Sequence, residues 1–340
     1  MKRCTGNACN QPEIEMIQET KAKPLVSILM AVYKPNEKWL REQLLSLNTQ
    51  TYENLELVIY DDCPDFPVDE GIIAECIRSI PYRLLRGEHN LGSNKAFERL
   101  TLEGRGDWFS YCDQDDVWHA DKVERMMKKV EEECAVLVGS DLAIIDGEGV
   151  RYADSITKIR RRHVFLEGEG LAPTLLIRNF IPGCAMLIRA DLARKSVPFV
   201  NSLVHDQWLA INAAIEGRIS VIREPLIEYR QHKNNQTAML KGVETRQDYF
   251  NERIGNMSDR LADYRKRLSS CKQLEQTLAD LEAFNQARIR YFSHPSLRDW
   301  KVMRKYRHFS KEAVMLESVM PFLPKSLLKW IFERIRSGKI

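Results

Sequence analysis

Twice in this chain a short apolar run stops abruptly at a group of carboxylates. Leu55–Tyr60 ends at Asp61-Asp62, and Asp107–Cys112 ends at Asp113-Gln114-Asp115-Asp116. Runs of that length, rich in β-branched and aromatic residues, read as buried strands. Leu25–Tyr33, Tyr82–Leu85, Ala135–Ile145 and Gly183–Ile188 read the same way, while 36–48, 94–103, 119–133 and 205–216 carry helical spacing. Strands alternating with amphipathic helices over residues 24–240 predict an α/β layer fold. In an open parallel sheet, ligands bind outside the C-terminal ends of the strands, so acidic groups at two such ends point to a site.

The 340 residues fit roughly two domains, or one with an appendage. A hydrophobic share of 44% excludes a wholly disordered chain, and 16 Gly exclude a collagen. The longest uncharged apolar stretches, Leu25–Tyr33 and Asn179–Ile188, fall short of the roughly 18 residues that a membrane span requires. Residues 1–23 contain Glu13, Glu15 and Glu19 and no apolar core, so a flexible segment is expected there rather than a secretory signal. A cytoplasmic setting is expected, and eight scattered cysteines agree with it as reduced thiols; Cys4 and Cys9 are the only close pair.

Charge divides the chain. Residues 241–340 hold 21 Lys and Arg against 12 Asp and Glu, whereas residues 1–240 hold 30 against 36. The strand pattern also ends near residue 240, so 241–340 is expected to be a helical, basic region. Its cations are interleaved with Trp300, Trp330 and Phe332, a pattern suited either to a peripheral role at an anionic membrane surface or to packing on the preceding domain. Nucleic acid is excluded as a partner, because the basic excess lies outside the α/β region and no known nucleic-acid module is present.

Asp113, Asp115 and Asp116 lie within four residues. Like charges so close repel unless a cation neutralises them, and oxygen ligands suit a hard divalent ion, Mg²⁺ or Mn²⁺, which would in turn hold a diphosphate. Asp115 or Asp116 is also placed to cap the helix expected at 119–133. Asp61-Asp62 offers pure acceptors for nucleobase or ribose donors, or forms a turn. His89–Lys95 is a turn entering a helix, where backbone N–H groups and Lys95 make a weak phosphate cradle. Asp206 is a candidate general base, or a carboxylate stabilised by the dipole of the 205–216 helix. His232, in Tyr229-Arg230-Gln231-His232, is a candidate ligand for metal or phosphate, or a structural histidine.

The order and spacing of these pieces resemble the family 2 inverting glycosyltransferases of the GT-A fold. The resemblance covers about Leu25–Ala238 and is carried by Val26–Tyr33, Leu57–Asp62, Asn90-Leu91-Gly92, Asp113–Asp116, Gly183–Met186, His205–Trp208 and Tyr229–His232. Asp113–Trp118 together with Tyr229–His232 is most similar to the rhamnosyltransferase-like branch of bacterial surface-polysaccharide (O-antigen or capsule) synthesis.

This resemblance implies a Rossmann-like mixed sheet over 24–240, followed by the helical extension. It implies that Tyr33, Asp61 and Asp62 bind the nucleoside of a nucleotide-sugar donor, with Asn90 and Lys95 also on the donor side. Asp113 and Asp115 would form the DxD motif, with Gln114 near the ribose and Asp116 supporting sugar or metal. Asp115 and His232 would hold the divalent metal and diphosphate, and Asp206 would be the catalytic base. Trp118, Gly183, Met186 and Trp208 are the expected acceptor contacts. The implied reaction moves a single sugar, from dTDP-rhamnose or a UDP-hexose, to a hydroxyl of a glycan or lipid-linked saccharide. The Gln-x-x-Arg-Trp motif of processive synthases is absent, and Cys63-Pro64 replaces the Gly-Ser that commonly follows the acidic pair.

Two other classes compete. A sugar nucleotidyltransferase also sets carboxylates on an α/β sheet, but its glycine-rich loop after the first strand is missing from Val32–Asn36. A non-catalytic scaffold of a polysaccharide-assembly complex would use the helical tail, yet would have no need of Asp115, Asp206 and His232 together.

Overall fold

The computed structural model describes residues 22–160, 163–232 and 242–336. Cys4, Cys9, nearly all of the expected N-terminal segment, Arg161, Arg162 and the expected boundary at 240–241 lie outside the described residues.

Among the described residues, nine strands form one mixed sheet: β1 (Val26–Val32), β2 (Leu55–Asp61), β3 (Tyr82–Arg86), β4 (Trp108–Cys112), β5 (Val117–Trp118), β6 (Leu137–Ile145), β7 (Arg151–Ala153), β8 (Met186–Arg189) and β9 (Ile219–Arg230). Their order is β3-β2-β1-β4-β8-β6-β9-β5, with β7 beside β6. β1 to β4 are parallel, β8 runs antiparallel between β4 and β6, and β9 is parallel to β6.

Both faces of the sheet are covered, as a largely parallel sheet requires. Successive residues of a strand point to opposite faces, so Ile28 and Met30 of β1 enter one core and Leu29 the other. The first core takes Leu40, Leu44 and Leu47 from the Glu37–Asn48 helix and Met126 from the Lys122–Glu133 helix. The second takes Phe97 and Leu100 from the Ser93–Glu103 helix and Trp208 and Leu209 from the His205–Glu216 helix.

Three local expectations change. The helix expected at 119–133 starts at Lys122, because Val117-Trp118 is drawn into β5 against Ile227 and Glu228. Asp115 and Asp116 therefore do not cap it. The strand expected at Gly183–Ile188 is a tight 3-10 turn over Gly183–Ala185 followed by β8. The stretch 146–170, whose glycines and basic run Arg160-Arg161-Arg162-His163 predict a loop, contains β7 and the short Ile156–Ile159 helix.

The C-terminal region is helical, as expected: Asn256–Leu268, Glu275–Ser293, Leu297–Lys305, Lys311–Val319 and Lys325–Arg336 are its main helices. Leu261, Tyr264, Leu268 and Leu278 join the same core as Trp208, and Tyr264 Oη donates to Leu176 O at 2.9 Å. The first of these helices thus extend the α/β core, while the later ones close two small cores of their own, around Met303 and around Phe332. No helix among the described residues is long and apolar enough to cross a membrane.

Candidate active site

The acidic loop leaves β4 directly, and the C-terminal ends of its parallel neighbours lie alongside. Val32 of β1 stands opposite Asp61 of β2, and Met30 opposite Cys112, so Tyr33, Asp61, Asp62 and Asp113–Asp116 share one sheet edge.

The loop is held from both sides. Gln114 clamps the chain after β1: its Oε1 accepts the Tyr33 N–H at 2.8 Å and its Nε2 donates to Tyr33 O at 3.1 Å. From the far side comes Arg230, the fully buried last residue of β9. Its backbone N–H donates to Asp116 Oδ1 at 3.0 Å, its Nε to Asp115 O at 2.8 Å and its Nη2 to Glu42 Oε2 at 2.5 Å. Two residues on, His232 Nε2 lies 2.5 Å from Asp115 Oδ2, with its ring against Trp39 at 4.8 Å. β9 therefore both pins the loop and delivers the imidazole across 117 residues of sequence.

Negative charge is in excess here. Burial first, then the charges of Asp115 and Asp206, pushes Asp113 up to about 7. Burial, then Asp115 and Asp113, raises Asp116 well above the usual carboxylate range. A carboxylate oxygen of each lies within 4.8 Å of the other and of Cys184 Sγ. Burial keeps the Cys184 thiol protonated, so it is a neutral neighbour of Asp116 and not a thiolate. Behind them Lys122 is buried, with Nζ 3.0 Å from Ser110 Oγ and over the Trp118 ring. Burial lowers Lys122 to about 7, which makes it only a partial counter-charge. An oxygen-rich cluster of this kind could hold a hard divalent cation: Asp113 and Asp116 are the carboxylates brought together, and Asp115, bonded to His232, adjoins them in the same loop.

Asp206 opens the His205–Glu216 helix and is oriented by two backbone donors. Its Oδ1 accepts from Gln207 N at 2.6 Å and its Oδ2 from Gly183 N at 3.0 Å. These contacts favour the anion, yet burial outweighs them and pushes the group up to about 6. Gly183, which donates to Asp206, is followed by Cys184, whose Sγ lies within 4.8 Å of carboxylate oxygens of Asp113 and Asp116, and this brings the candidate base beside the acidic loop. The neighbouring His205 ring stacks on Phe97 at 4.1 Å, with Tyr111 at 5.4 Å. A Cβ built on Gly183 would stand 2.7 Å from His205 Nε2, so glycine is what lets this turn pass. Nothing in the sequence marks His205 for this packing role except its place beside Asp206.

Other expected residues are placed differently. Asp61 and Asp62 are 2% and 3% exposed and both hold turns. Asp61 accepts from Cys63 N and Val68 N, with Arg86 beside it, while Asp62 accepts from Leu91 N and Gly92 N at 2.7 and 2.9 Å. Gly92 has a φ of +78°, which favours glycine. A nucleoside would therefore meet the turns that these carboxylates shape, together with the exposed Tyr33 and Asn90, more than the carboxylates themselves. Lys95 pairs with Glu98 on its own helix at 2.9 Å and keeps more than a third of its side chain exposed.

Two expected acceptor contacts are corrected. Met186 is fully buried in β8, and Trp208 is 1% exposed with its Nε1 donating to Ser196 O. Both are core residues. Trp118 is also buried, but it lines a cleft of about 770 Å³ with Glu42, Ser46, Arg151, Glu228 and Arg230. Its Nε1 has no acceptor among the described residues.

Comparison with known proteins gives concordant results. The family model described as glycosyl transferase family 2 matches residues 27–194. An uncharacterized glycosyltransferase of Rickettsia felis is 29% identical over 199 residues, which cover 55% of this chain and 31% of the relative. The uncharacterized glycosyltransferase MJ1057 of Methanocaldococcus jannaschii is 25% identical over 227 residues, 64% of this chain and 75% of the relative. The chain thus spans about a third of the first relative and three quarters of the second. Among solved structures, S. aureus TarS 1–349 in complex with UDP-GlcNAc superposes with a TM-score of 0.55 at 17% identity, covering 92% of each chain. That likeness establishes the fold, a GT-A arrangement of the mixed sheet with a helical C-terminal region.

Proposed function

Because this chain belongs to glycosyl transferase family 2, we propose that it is a divalent-metal-dependent, inverting glycosyltransferase that moves one sugar from a nucleotide-diphosphate donor to a saccharide hydroxyl. The observation that carries the reading is the convergence of the acidic loop, His232 and Asp206 at one sheet edge, with Asp206 held by Gly183, the neighbour of Cys184. TarS 1–349, which shares the fold, was solved in complex with UDP-GlcNAc, and this supports a nucleotide-sugar donor here as well. The similarity of Asp113–Trp118 and Tyr229–His232 to the rhamnosyltransferase-like branch favours dTDP-rhamnose, with a UDP-hexose next. Within this reading the acceptor is a glycan or lipid-linked saccharide of surface-polysaccharide synthesis, met at the inner face of the membrane. Trp118 is kept as an acceptor contact through the part of its ring that lines the cleft; its N–H is buried.

The chain's own groups then divide the work. Gln114 and Arg230 fix the loop so that Asp113, Asp115 and Asp116 present their oxygens without rearrangement. When bound at Asp115 and His232, the metal would act as a Lewis acid on the leaving diphosphate. Asp206, held by Gly183 N and Gln207 N, accepts the proton of the acceptor hydroxyl at a carboxylate oxygen as that hydroxyl attacks the anomeric carbon. One base and one leaving-group clamp give a single displacement, hence inversion.

The dissecting experiment is a pair of variants. Asp115→Asn is expected to abolish metal-dependent donor binding, whereas Asp206→Asn keeps donor binding and stops transfer. Loss of donor binding in Asp206→Asn would remove the base role from that residue.

A further inference from the structure

Trp39 stands where three segments far apart in sequence meet. It lies in the first turn of the Glu37–Asn48 helix, where its backbone N–H donates to Asn36 Oδ1 at 3.2 Å and so caps the helix start. Its indole N–H donates to Gly147 O at 2.9 Å, in the turn between β6 and β7. Its ring lies against the His232 imidazole, with centroids 4.8 Å apart and planes tilted by 34°, and the Arg230 guanidinium lies over it at 5.5 Å.

Both partners of this ring act on the acidic loop, but they are held differently. Arg230 is the last residue of β9, and besides its bonds to Asp115 and Asp116 its guanidinium reaches Asp146 O at 3.2 Å. His232 lies two residues past the strand, after Gln231 N has donated to Ile145 O at 2.9 Å. An imidazole in that position turns about two side-chain bonds, and its Nε2 stays 2.5 Å from Asp115 Oδ2 only while the ring plane is kept. The indole is a flat, rigid surface fixed at its own N–H, and it meets the imidazole ring against ring. It is no ligand itself, since its nitrogen only donates.

We propose that Trp39 is a positioning residue for His232: the contacts Gly147–Trp39–His232–Asp115 keep the imidazole aimed at the carboxylate with which it would share a divalent cation. The inference rests on the reading of Asp115 and His232 as metal ligands, and it adds a residue on which their geometry depends. Groups that orient a metal ligand from behind are worth on the order of 10- to 100-fold in metal affinity.

Mn²⁺ itself is the probe, titrated into the full chain, with the free ion read by electron paramagnetic resonance. Trp39→Leu is expected to bind Mn²⁺ about tenfold or more weakly than wild type. Trp39→Phe, which keeps a flat ring against His232, should recover most of that loss. A purely structural role would lower the melting temperature of both variants in EDTA and leave the Mn²⁺ affinity of the folded protein unchanged. His232→Ala separates the two layers of the argument. If it binds Mn²⁺ as wild type does, or if wild type itself does not bind, the metal reading fails and the proposal with it. If it binds weakly while Trp39→Leu matches wild type, the positioning role alone fails, and Trp39→Phe as weak as Trp39→Leu overturns that role too. A measurement without any disruptive variant stands beside these. In protein carrying fluorotryptophan, the fluorine resonance that Trp39→Phe lacks should broaden strongly as Mn²⁺ is added. A resonance left sharp would overturn the proposal even if Trp39→Leu did not fold.

Discussion

Gly183→Ala adds one methyl group at the point where the candidate base is aimed. The new Cβ would meet His205 Nε2 at 2.7 Å, His205 Cε1 at 3.1 Å and Asp206 Cβ at 3.3 Å. The imidazole cannot swing away freely, because it is stacked on Phe97 and lies tilted against Tyr111. Either the turn or the start of the His205–Glu216 helix has to yield by several tenths of an ångström. Overpacking of this kind costs about 1–3 kcal/mol of stability. A base displaced by up to about 1 Å from its working position loses on the order of a hundredfold in rate. Neither Gly183 nor His205 is among the proposed donor contacts, so the donor dissociation constant should hold. Steady-state kinetics with a saturating donor, calorimetric donor binding and thermal unfolding measure the three quantities. In a His205→Ala background the clash partner is gone, so the same methyl should cost much less. Wild-type kcat in Gly183→Ala, or an equal penalty in both backgrounds, would refute the packing argument.

Asp206 also sets a pH dependence. As a base it must be ionised, so kcat/KM should rise with pH to a plateau above about 6, and Asp206→Asn should lack that limb. The same shift acts on stability with the opposite sense: the folded state holds a proton that the unfolded state releases near its ordinary value. Stability is fullest below that value and falls by up to about 3 kcal/mol as pH passes through 6, which melts in EDTA would record and added Mn²⁺ should partly reverse. Arg230→Met should cost roughly 2–4 kcal/mol in denaturant unfolding, because it removes the pair with Glu42 and the donor to Asp115 O at once.

Local periodicity carried much of the fold into the sequence. The His205–Glu216 helix and the β2 run have the expected bounds to within a residue, since their apolar residues repeat at the right period and their ends carry clear stops. β9 is hidden in the sequence because Arg223-Glu224-Pro225 breaks its apolar run. Proline has no N–H for the ladder, and the register against β6 shifts where Pro225 stands opposite Asp141. The start of the Lys122–Glu133 helix is set by that same hidden strand, which captures Val117 and Trp118.

The site is legible where chemistry is concentrated in sequence and opaque where it depends on contacts far apart. That Asp115 and His232 belong to one site is what the resemblance implies, whereas their direct contact, Gln114 on Tyr33 and Arg230 on Glu42 follow only from the folded sheet. Trp208 fails as an acceptor contact for a simple reason: it lies two residues from Asp206 on a helix, which puts the two side chains on nearly opposite faces.

A metal-dependent nucleotide site at the end of β4 is the central claim. Calorimetric titration of UDP, dTDP and GDP into the purified protein, each with Mn²⁺ and with EDTA, tests it most directly. One of the three is predicted to bind with Mn²⁺ and to fail to bind in EDTA, dTDP if the rhamnosyl reading holds. Binding of none, or equal binding with and without metal, would contradict it.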